Sequence, residues 1–196
     1  MASKQQILEA IRRQSVAPVE HPGVEGPWIT YDDAPAQFAA ALESVGGLCH
    51  FVADLPAVNA ALAEIPEFSA AQRIYSSVPE IGGANVDMAS IDNPHALDDV
   101  DFAVFSGEVA VAENAAVWVT DEHVRHKVVY FLSQHLALVV RRSQLVDNMR
   151  QAFEKIEFRA GRFGVFISGP SKTADIEQSL VVGAHGARSL HVFVVE

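Results

Sequence analysis

Apolar and polar positions alternate between helical and strand spacing along most of the chain. Helical spacing covers residues 34–45 and 55–65, and short apolar runs cover 48–53 and 72–77. Helix, strand, helix and strand in this order predict βαβ crossovers and a parallel sheet. The first half of the chain therefore predicts an α/β fold.

The second half continues this alternation. Its patterns predict two or three strands within 101–119, a helix over 120–132, a strand over 134–140, a helix over 144–153 and two final strands over 163–167 and 190–195. Both final strands are apolar on both faces, which is typical of a sheet covered by helices on each side. We therefore expect an α/β protein with a mostly parallel central sheet and helices on both faces.

The first residues form a separate unit. Residues 3–13 predict a short amphipathic helix with Ser3 as its N-cap. Residues 14–28 contain three prolines and two glycines, which indicates an extended connector. We expect residues 1–28 to be this helix and connector, and residues 29–196 to be one α/β domain.

The amino-acid composition excludes several classes of function for this chain. The net charge is −11 and the basic residues are scattered, which disfavours nucleic acid as a partner. A single cysteine, Cys49, excludes an internal disulfide framework and a cysteine-ligated iron–sulfur cluster held by this chain. No signal-peptide core and no apolar run of about 20 residues is present, so we expect a cytoplasmic protein without a membrane span.

A polar cluster lies between the two final strands. Residues 168–177 read Ser-Gly-Pro-Ser-Lys-Thr-Ala-Asp-Ile-Glu, and residues 183–186 read Gly-Ala-His-Gly. We expect this tail motif to lie at the edge of the sheet where open α/β folds bind ligands. The alternative is a short, well-capped helix that starts at Thr173 and ends at Gly183.

A second candidate position interrupts the strands in the middle of the chain. Glu113 stands in a run of small apolar residues, so its carboxylate must be paired, hydrogen-bonded or protonated. Such a carboxylate suits a general base or a nucleophile. The alternative is a turn residue that meets water.

The histidines give weaker signals. His50 lies in an apolar run and is interpreted as a packed core residue. His123 and His126 are three residues apart, so they share a face of the predicted helix and could ligate a metal with a third group. Because no His-Glu-x-x-His arrangement is present, no metal site is predicted.

The tail motif resembles the C-terminal signature of the LUD (lactate-utilisation) domain family, in particular its short members. The family pattern has arginine where Lys172 stands and proline where Ala187 stands. Glu113 and His135 also match residues of the family pattern. Residues 114–116, however, read Asn-Ala-Ala where the family has Thr-Gly-Thr, and Ser133 replaces a proline.

This resemblance implies a set of site residues and a fold. The catalytic candidates are Glu113, Asp175 and His185. The substrate-binding candidates are Ser171, Lys172, Thr173, Glu177, Gly183, Gly186 and His135. In fold, the family resembles the superfamily of ribose-5-phosphate isomerase, glucosamine-6-phosphate deaminase and CoA transferases.

Two functions from different classes are consistent with these residues. In the first, which the resemblance implies, the chain is a subunit or accessory protein of L-lactate oxidation to pyruvate. Iron–sulfur clusters then belong only to partner proteins, and this chain binds no cofactor itself. In the second, the chain is a stand-alone enzyme on a small carboxylate or sugar acid, with Glu113 as base or nucleophile and His185 or Asp175 as its partner. Either function implies a small carboxylate ligand, and both are compatible with a homo-oligomer.

Overall fold

A computed structural model of the chain describes residues 3–14, 19–20, 23, 25–174, 179–182 and 185–196. The α-helices are α1 Lys4–Arg13, α2 Ala34–Ser44, α3 Leu55–Ala63, α4 Pro66–Ala70, α5 Val129–Leu132 and α6 Met149–Lys155. The strands are β1 Leu48–Val52, β2 Ile74–Ser76, β3 Phe102–Ser106, β4 Val109–Val111, β5 Ala116–Thr120, β6 His135–Arg141, β7 Leu145–Val146, β8 Gly164–Ile167, β9 Lys172–Ala174, β10 Ser179–Val182 and β11 Ser189–Val195. Short 3-10 helices cover Met88–Ser90, Pro94–Leu97 and Arg142–Gln144.

Five strands form the central sheet in the order β1-β11-β6-β3-β2. Every neighbouring pair in it is parallel, as the alternating pattern predicts. A second sheet has the order β7-β4-β5-β8, in which β5 runs antiparallel to both of its neighbours. The strands β9 and β10 form a separate antiparallel ribbon.

Both faces of the central sheet are covered. On one face, Val58 and Leu62 of α3 pack with Val139 of β6. On the other face, Phe38 of α2 packs in one cluster with Leu138 of β6 and with residues of α5 and the second sheet. Along β6, successive side chains alternate between these two clusters, as the pleat of a strand requires. The prediction of an α/β fold with a mostly parallel sheet and helices on both faces is confirmed.

Three predicted elements differ in the structure. The predicted helix over 120–132 is wrong except for Val129–Leu132, because His123 adopts a left-handed backbone with φ of +64°, which a helix cannot contain. The helix over 144–153 starts only at Met149, since Leu145 and Val146 pair with β4 instead. The strand over 163–167 is a half-buried edge of the second sheet rather than a fully buried central strand.

The N-terminal helix is present as expected. Ser3 accepts a hydrogen bond from the backbone N–H of Gln6, and the Gln6 side chain accepts one from the backbone N–H of Ser3. The apolar side chains Ile7 and Ile11 are exposed. Within the described part of the chain, no helix has the length and apolar character needed to cross a membrane.

The sheets meet at Gly107, where the chain passes from β3 to β4. A Cβ atom on Gly107 would lie 2.5 Å from Cγ1 of both Val117 and Val140. We expect Gly107→Ala to lower the free energy of unfolding by about 1–3 kcal/mol, because both valines are buried and must move. Urea denaturation checks this, with Gly82→Ala as the matched control. At Gly82 a Cβ atom meets nothing closer than 3.7 Å, and equal losses in both variants would contradict the steric argument.

Candidate functional site

The tail motif lies at the amino end of the central sheet. It leaves β8 at Ser168, whose hydroxyl donates a hydrogen bond of 2.7 Å to the carbonyl of Asn114. The backbone N–H of Ser171 then donates to the carbonyl of Ala187, just before β11 begins. Open parallel sheets usually bind ligands at the carboxyl ends of their strands, so the expectation for the position of this motif is wrong.

A close backbone approach fixes the start of the motif. Gly169 has a φ of +72°, and a Cβ atom there would lie 2.8 Å from the carbonyl oxygen of Val45. A Cβ atom on Gly46 would lie 3.6 Å from Cγ of Pro170. The start of the motif therefore packs against the turn between α2 and β1, and only glycine fits at position 169.

The predicted helix between Thr173 and Gly183 is wrong. Residues 172–174 and 179–182 are the antiparallel strands β9 and β10, with Val182 opposite Lys172. The run of Leu and two Val at 180–182 has high strand propensity, and cross-strand pairing prevails over the helical spacing of the motif. The predicted site residues Asp175, Glu177 and Gly183 lie outside the described residues.

The motif borders a cavity of about 240 Å³, the tail cavity. Its polar lining residues are Ser168, Ser171 and His185. Its apolar wall contains Tyr130, Phe131, Leu136 and Ile167. Of the predicted site residues, Ser171, His185 and Gly186 thus lie together on one cavity. Gly186 packs tightly there, since a Cβ atom on it would lie 3.0 Å from Cβ of Ser171.

The other described candidates lie elsewhere. Lys172 is exposed on β9, and the backbone of Thr173 belongs to the same strand. His135 begins β6, and its Nδ1 lies 2.8 Å from the hydroxyl of Ser189. Its ring stacks on Phe102, on the face of the sheet opposite to Leu136, which lines the tail cavity. The structure therefore separates His135 from His185.

Glu113 has a structural partner. It lies in the turn between β4 and β5, where its Oε1 accepts a hydrogen bond of 3.2 Å from the backbone N–H of Met149. Its own backbone N–H donates to the carbonyl of Asp147. Among the described residues that line the tail cavity, Glu113 is absent. The half-buried carboxylate is hydrogen-bonded, as the sequence requires, and its catalytic role stays a prediction.

The departure from the family pattern after Glu113 has a visible backbone consequence. Ala115 is buried and has a φ of +54°, a left-handed conformation that glycine adopts without strain. Asn114 compensates in part, because its Oδ1 accepts a hydrogen bond of 3.1 Å from the backbone N–H of Ala116. The turn thus keeps the shape that glycine favours although it has no glycine.

Sequence reasoning did not single out Tyr130 and Phe131. Both fall within the predicted helix over 120–132. Tyr130 is buried, and its hydroxyl donates to the carbonyl of Thr120. Burial is the main cause that raises the pKa of Tyr130. Two adjacent aromatic residues shortly before β6 do not by themselves indicate a cavity. They can be assigned to a cavity wall only when the arrangement of the strands is known.

Three histidines share the α3 face of the central sheet. His50 Nε2 lies 3.0 Å from His191 Nδ1, and the two rings stack at 5.3 Å between centroids. Burial, and to a smaller extent the neighbouring His50, lowers the pKa of His191 to about 4. Burial also lowers the pKa of His50 and of His135. His50 is a packed residue, as predicted, and no group of three or more potential metal-ligating side chains occurs among the described residues.

The all-parallel central sheet, flanked by helices and joined to a second sheet, defines a layered α/β protein with a small cavity at the amino end of its strands. Within that class, the chain belongs to the LUD domain family, whose model matches residues 35–195. The resemblance seen in the tail motif is therefore confirmed.

Several relatives are named lactate utilization protein C. The protein of Geobacillus kaustophilus is 28% identical over 123 residues, which covers 60% of this chain and 48% of that protein. The protein of Geobacillus thermodenitrificans is 28% identical over 138 residues, covering 67% and 53% respectively. The protein of Shouchella clausii is 33% identical over 101 residues, covering 49% and 44%. The chain spans about half the length of these relatives.

A solved structure shares the fold. A DUF162 family protein from Deinococcus radiodurans superposes with a TM-score of 0.64 at 19% sequence identity. The match covers 83% of this chain and 96% of that chain. At this identity the likeness shows a common architecture and carries no statement about the ligand.

Proposed function

We propose that this LUD-domain protein takes part in lactate utilisation, as a subunit or accessory protein of L-lactate oxidation to pyruvate that works beside iron–sulfur proteins. The observation that carries the proposal is that Ser171 and His185 of the tail motif line one cavity in a chain whose relatives are named for lactate utilisation. The role of the chain is to hold the small acid.

The tail cavity suits a small hydroxy acid or keto acid. Such a ligand has a carboxylate and an oxygen at one end and a methyl group at the other. The hydroxyl of Ser171 and the imidazole of His185 can donate hydrogen bonds to the polar end. Leu136 and Phe131 offer an apolar surface to the methyl group. The cavity volume of about 240 Å³ accepts a three-carbon acid.

Electron transfer is assigned to partner proteins. An iron–sulfur cluster needs several cysteine thiolates, and this chain has one cysteine. Burial raises the pKa of Cys49 to about 11, which keeps the thiol protonated and unsuited to metal ligation. The residues of this chain therefore do not fit such a cluster, and no redox step is derived through one.

Calorimetric titration of the purified chain with pyruvate and with L-lactate tests the binding role. We expect His185→Ala to weaken pyruvate binding about tenfold or more, because a hydrogen bond to a charged ligand is lost. His95→Ala is the matched control, since His95 is exposed and lies outside the tail cavity. Equal pyruvate affinities in His185→Ala and His95→Ala would show that the acid does not bind in the tail cavity.

A second assay separates the subunit from a stand-alone enzyme. Lactate-dependent dye reduction is measured for the chain alone, for iron–sulfur lactate-utilisation proteins alone and for the mixture. The proposal expects activity that depends on the mixture. Turnover of small acids or acyl-CoA esters by the chain alone, abolished in Glu113→Gln, would instead establish the enzyme in which Glu113 acts with His185 or Asp175.

A further inference from the structure

A second cleft lies on another side of Tyr130, which also lines the tail cavity. Its inner half has a volume of about 200 Å³ and is lined by Ser77, Ser106, Glu108, Thr120, Glu122, His123 and Tyr130. Ser77 follows β2 and Ser106 ends β3, so this half lies at the carboxyl ends of two adjacent parallel strands. Open α/β sheets bind their ligands outside those ends.

An outer half of about 330 Å³ continues the same cleft, because Glu108, Thr120 and Glu122 line both halves. Its walls include the rings of Trp118 and Phe158, whose centroids lie 5.8 Å apart in an edge-to-face arrangement. The two halves are called the carboxyl-end cleft. One half offers hydroxyls and carboxylates, and the other offers aromatic faces.

The polar groups of the inner half are held in place by the fold. The hydroxyl of Thr120 donates a hydrogen bond of 2.7 Å to Oε1 of Glu108. The backbone N–H of Ser106 donates to the hydroxyl oxygen of Ser77. Beneath them, the buried Tyr130 donates its hydroxyl hydrogen to the carbonyl of Thr120. These bonds orient the donors and acceptors of the cleft before any ligand arrives.

His123 is also held in place at the inner half. It is exposed and has a left-handed φ of +64°, a region that histidine adopts more often than most residues. Its carbonyl accepts a hydrogen bond of 3.4 Å from the hydroxyl of the buried Tyr75.

The charged residues of the cleft indicate the charge of the ligand that it can bind. Glu108 and Glu122 line the inner half, and none of the described residues that line it is a lysine or an arginine. In the outer half, Arg159 is paired with Glu157 at 2.8 Å and Arg162 with Asp121 at 3.2 Å. Carboxylates at this density repel an anion and accept hydrogen bonds from hydroxyl groups.

We propose that the carboxyl-end cleft binds a neutral ligand that carries vicinal hydroxyl groups beside a flat ring, as a nucleoside or an aryl glycoside does. The hydroxyl groups donate to the carboxylate of Glu108 in the inner half. The ring packs against Trp118 and Phe158 in the outer half, where stacking on an aromatic side chain stabilises any flat ring. This cleft shares only Tyr130 with the tail cavity among the described lining residues, and the proposal does not depend on the proposed role in lactate utilisation.

Titration of the full chain with adenosine and with 4-nitrophenyl β-glucoside, followed by protein-observed NMR, tests the site and distinguishes the two sources of the ligand. We expect at least one probe to shift resonances of residues that line the carboxyl-end cleft. For adenosine, removal of both hydroxyls in 2′,3′-dideoxyadenosine is expected to weaken binding about tenfold or more. For the glucoside, replacement by the neutral 4-nitroanisole keeps the aromatic ring and removes the sugar hydroxyls, with the same expected result.

Glu108→Gln is the test variant and Glu43→Gln the matched control, because both side chains are exposed but only Glu108 lines the cleft. We expect Glu108→Gln to weaken binding about tenfold and Glu43→Gln to leave it unchanged. If Glu108→Gln is misfolded by circular dichroism, Glu122→Gln replaces it. No binding of either probe at millimolar concentration, equal affinity for the forms without hydroxyls, or equal affinity of the test and control variants would each overturn the proposal.

Discussion

Lowering the pH from 7 to 4 is expected to reduce the free energy of unfolding by about 3 kcal/mol through His191 alone. Burial holds the pKa of His191 near 4, whereas an unfolded histidine titrates near 6.5. Between those two values the unfolded chain binds a proton that the folded chain does not, so stability falls as the pH falls. The loss begins below about pH 6.5 and is complete below about pH 4.

Charged and titratable groups around His191 determine how far its pKa is lowered. His50 on β1 and His135 on β6 disfavour the protonated ring, and Glu67 of α4 favours it in part. Because His50 Nε2 lies 3.0 Å from His191 Nδ1, one of these two nitrogens must stay unprotonated to accept the hydrogen bond, and protonation of both would set two N–H groups against each other. The acid-sensitive contact is therefore the side-chain contact between His50 on β1 and His191 on β11.

Urea denaturation at several pH values measures this effect, with His191→Asn as the test variant. Asparagine keeps a polar atom near the position of Nδ1 and does not titrate. The slope of stability against pH between 6.5 and 4.5 is expected to flatten in His191→Asn. His95→Asn is the matched control, since His95 is exposed, and it is expected to retain the slope. A wild-type slope in His191→Asn would show that the pH dependence arises elsewhere.

Phe105→Ala is expected to lower the free energy of unfolding by about 3–5 kcal/mol. Phe105 on β3 is fully buried, and its ring lies 4.0 Å from that of Tyr130 and 5.5 Å from that of Tyr75, measured between centroids. The substitution opens a space where the central sheet, α5 and the loop of His123 meet. Thermal and urea unfolding measure the loss.

The matched control for this prediction is Phe51→Ala on β1. The Phe51 side chain is 47% exposed, so its removal is expected to cost less than about 1 kcal/mol. Because Tyr75 and Tyr130 support His123 and Thr120, Phe105→Ala is also expected to disturb the resonances of the carboxyl-end cleft. A loss in Phe105→Ala no larger than that in Phe51→Ala would contradict the packing described for β3.

The strands of the central sheet could be predicted because their signal is local. The run that became β6 is apolar on both faces, and five consecutive residues of it are buried in the structure. The helix α2 has its own N-cap at Asp33, whose carboxylate accepts from the backbone N–H of Ala36. Neither assignment needs knowledge of a distant residue.

The tail of the chain could not be predicted in the same way. Helical spacing and a good N-cap at Thr173 favour a helix, but β9 and β10 satisfy their backbone groups by pairing with each other. Similarly, the local pattern of 120–132 does not reveal that the hydroxyls of Tyr75 and Tyr130 hold this segment as turns. Contacts between residues far apart in sequence prevail over local propensity in both cases.

The candidate site was predicted in part. Ser171, Gly186 and His185 belong to one motif, and the structure places them on one cavity. His135 was grouped with them through the resemblance, but the alternation of side chains along β6 directs it to the other face of the sheet. The carboxyl-end cleft left no motif in the sequence, since its residues come from five separate segments.

The position of β11 has a consequence for how the chain acquires its fold. This strand comes last among the described strands, yet it lies between β1 and β6, so the central sheet cannot be completed before β11 has been synthesised. Until β11 pairs, the facing edges of β1 and β6 are unpaired, and such edges are open to association with other chains. Completion of the sheet therefore requires the closure of a loop that spans most of the described residues, and closures of this length slow folding.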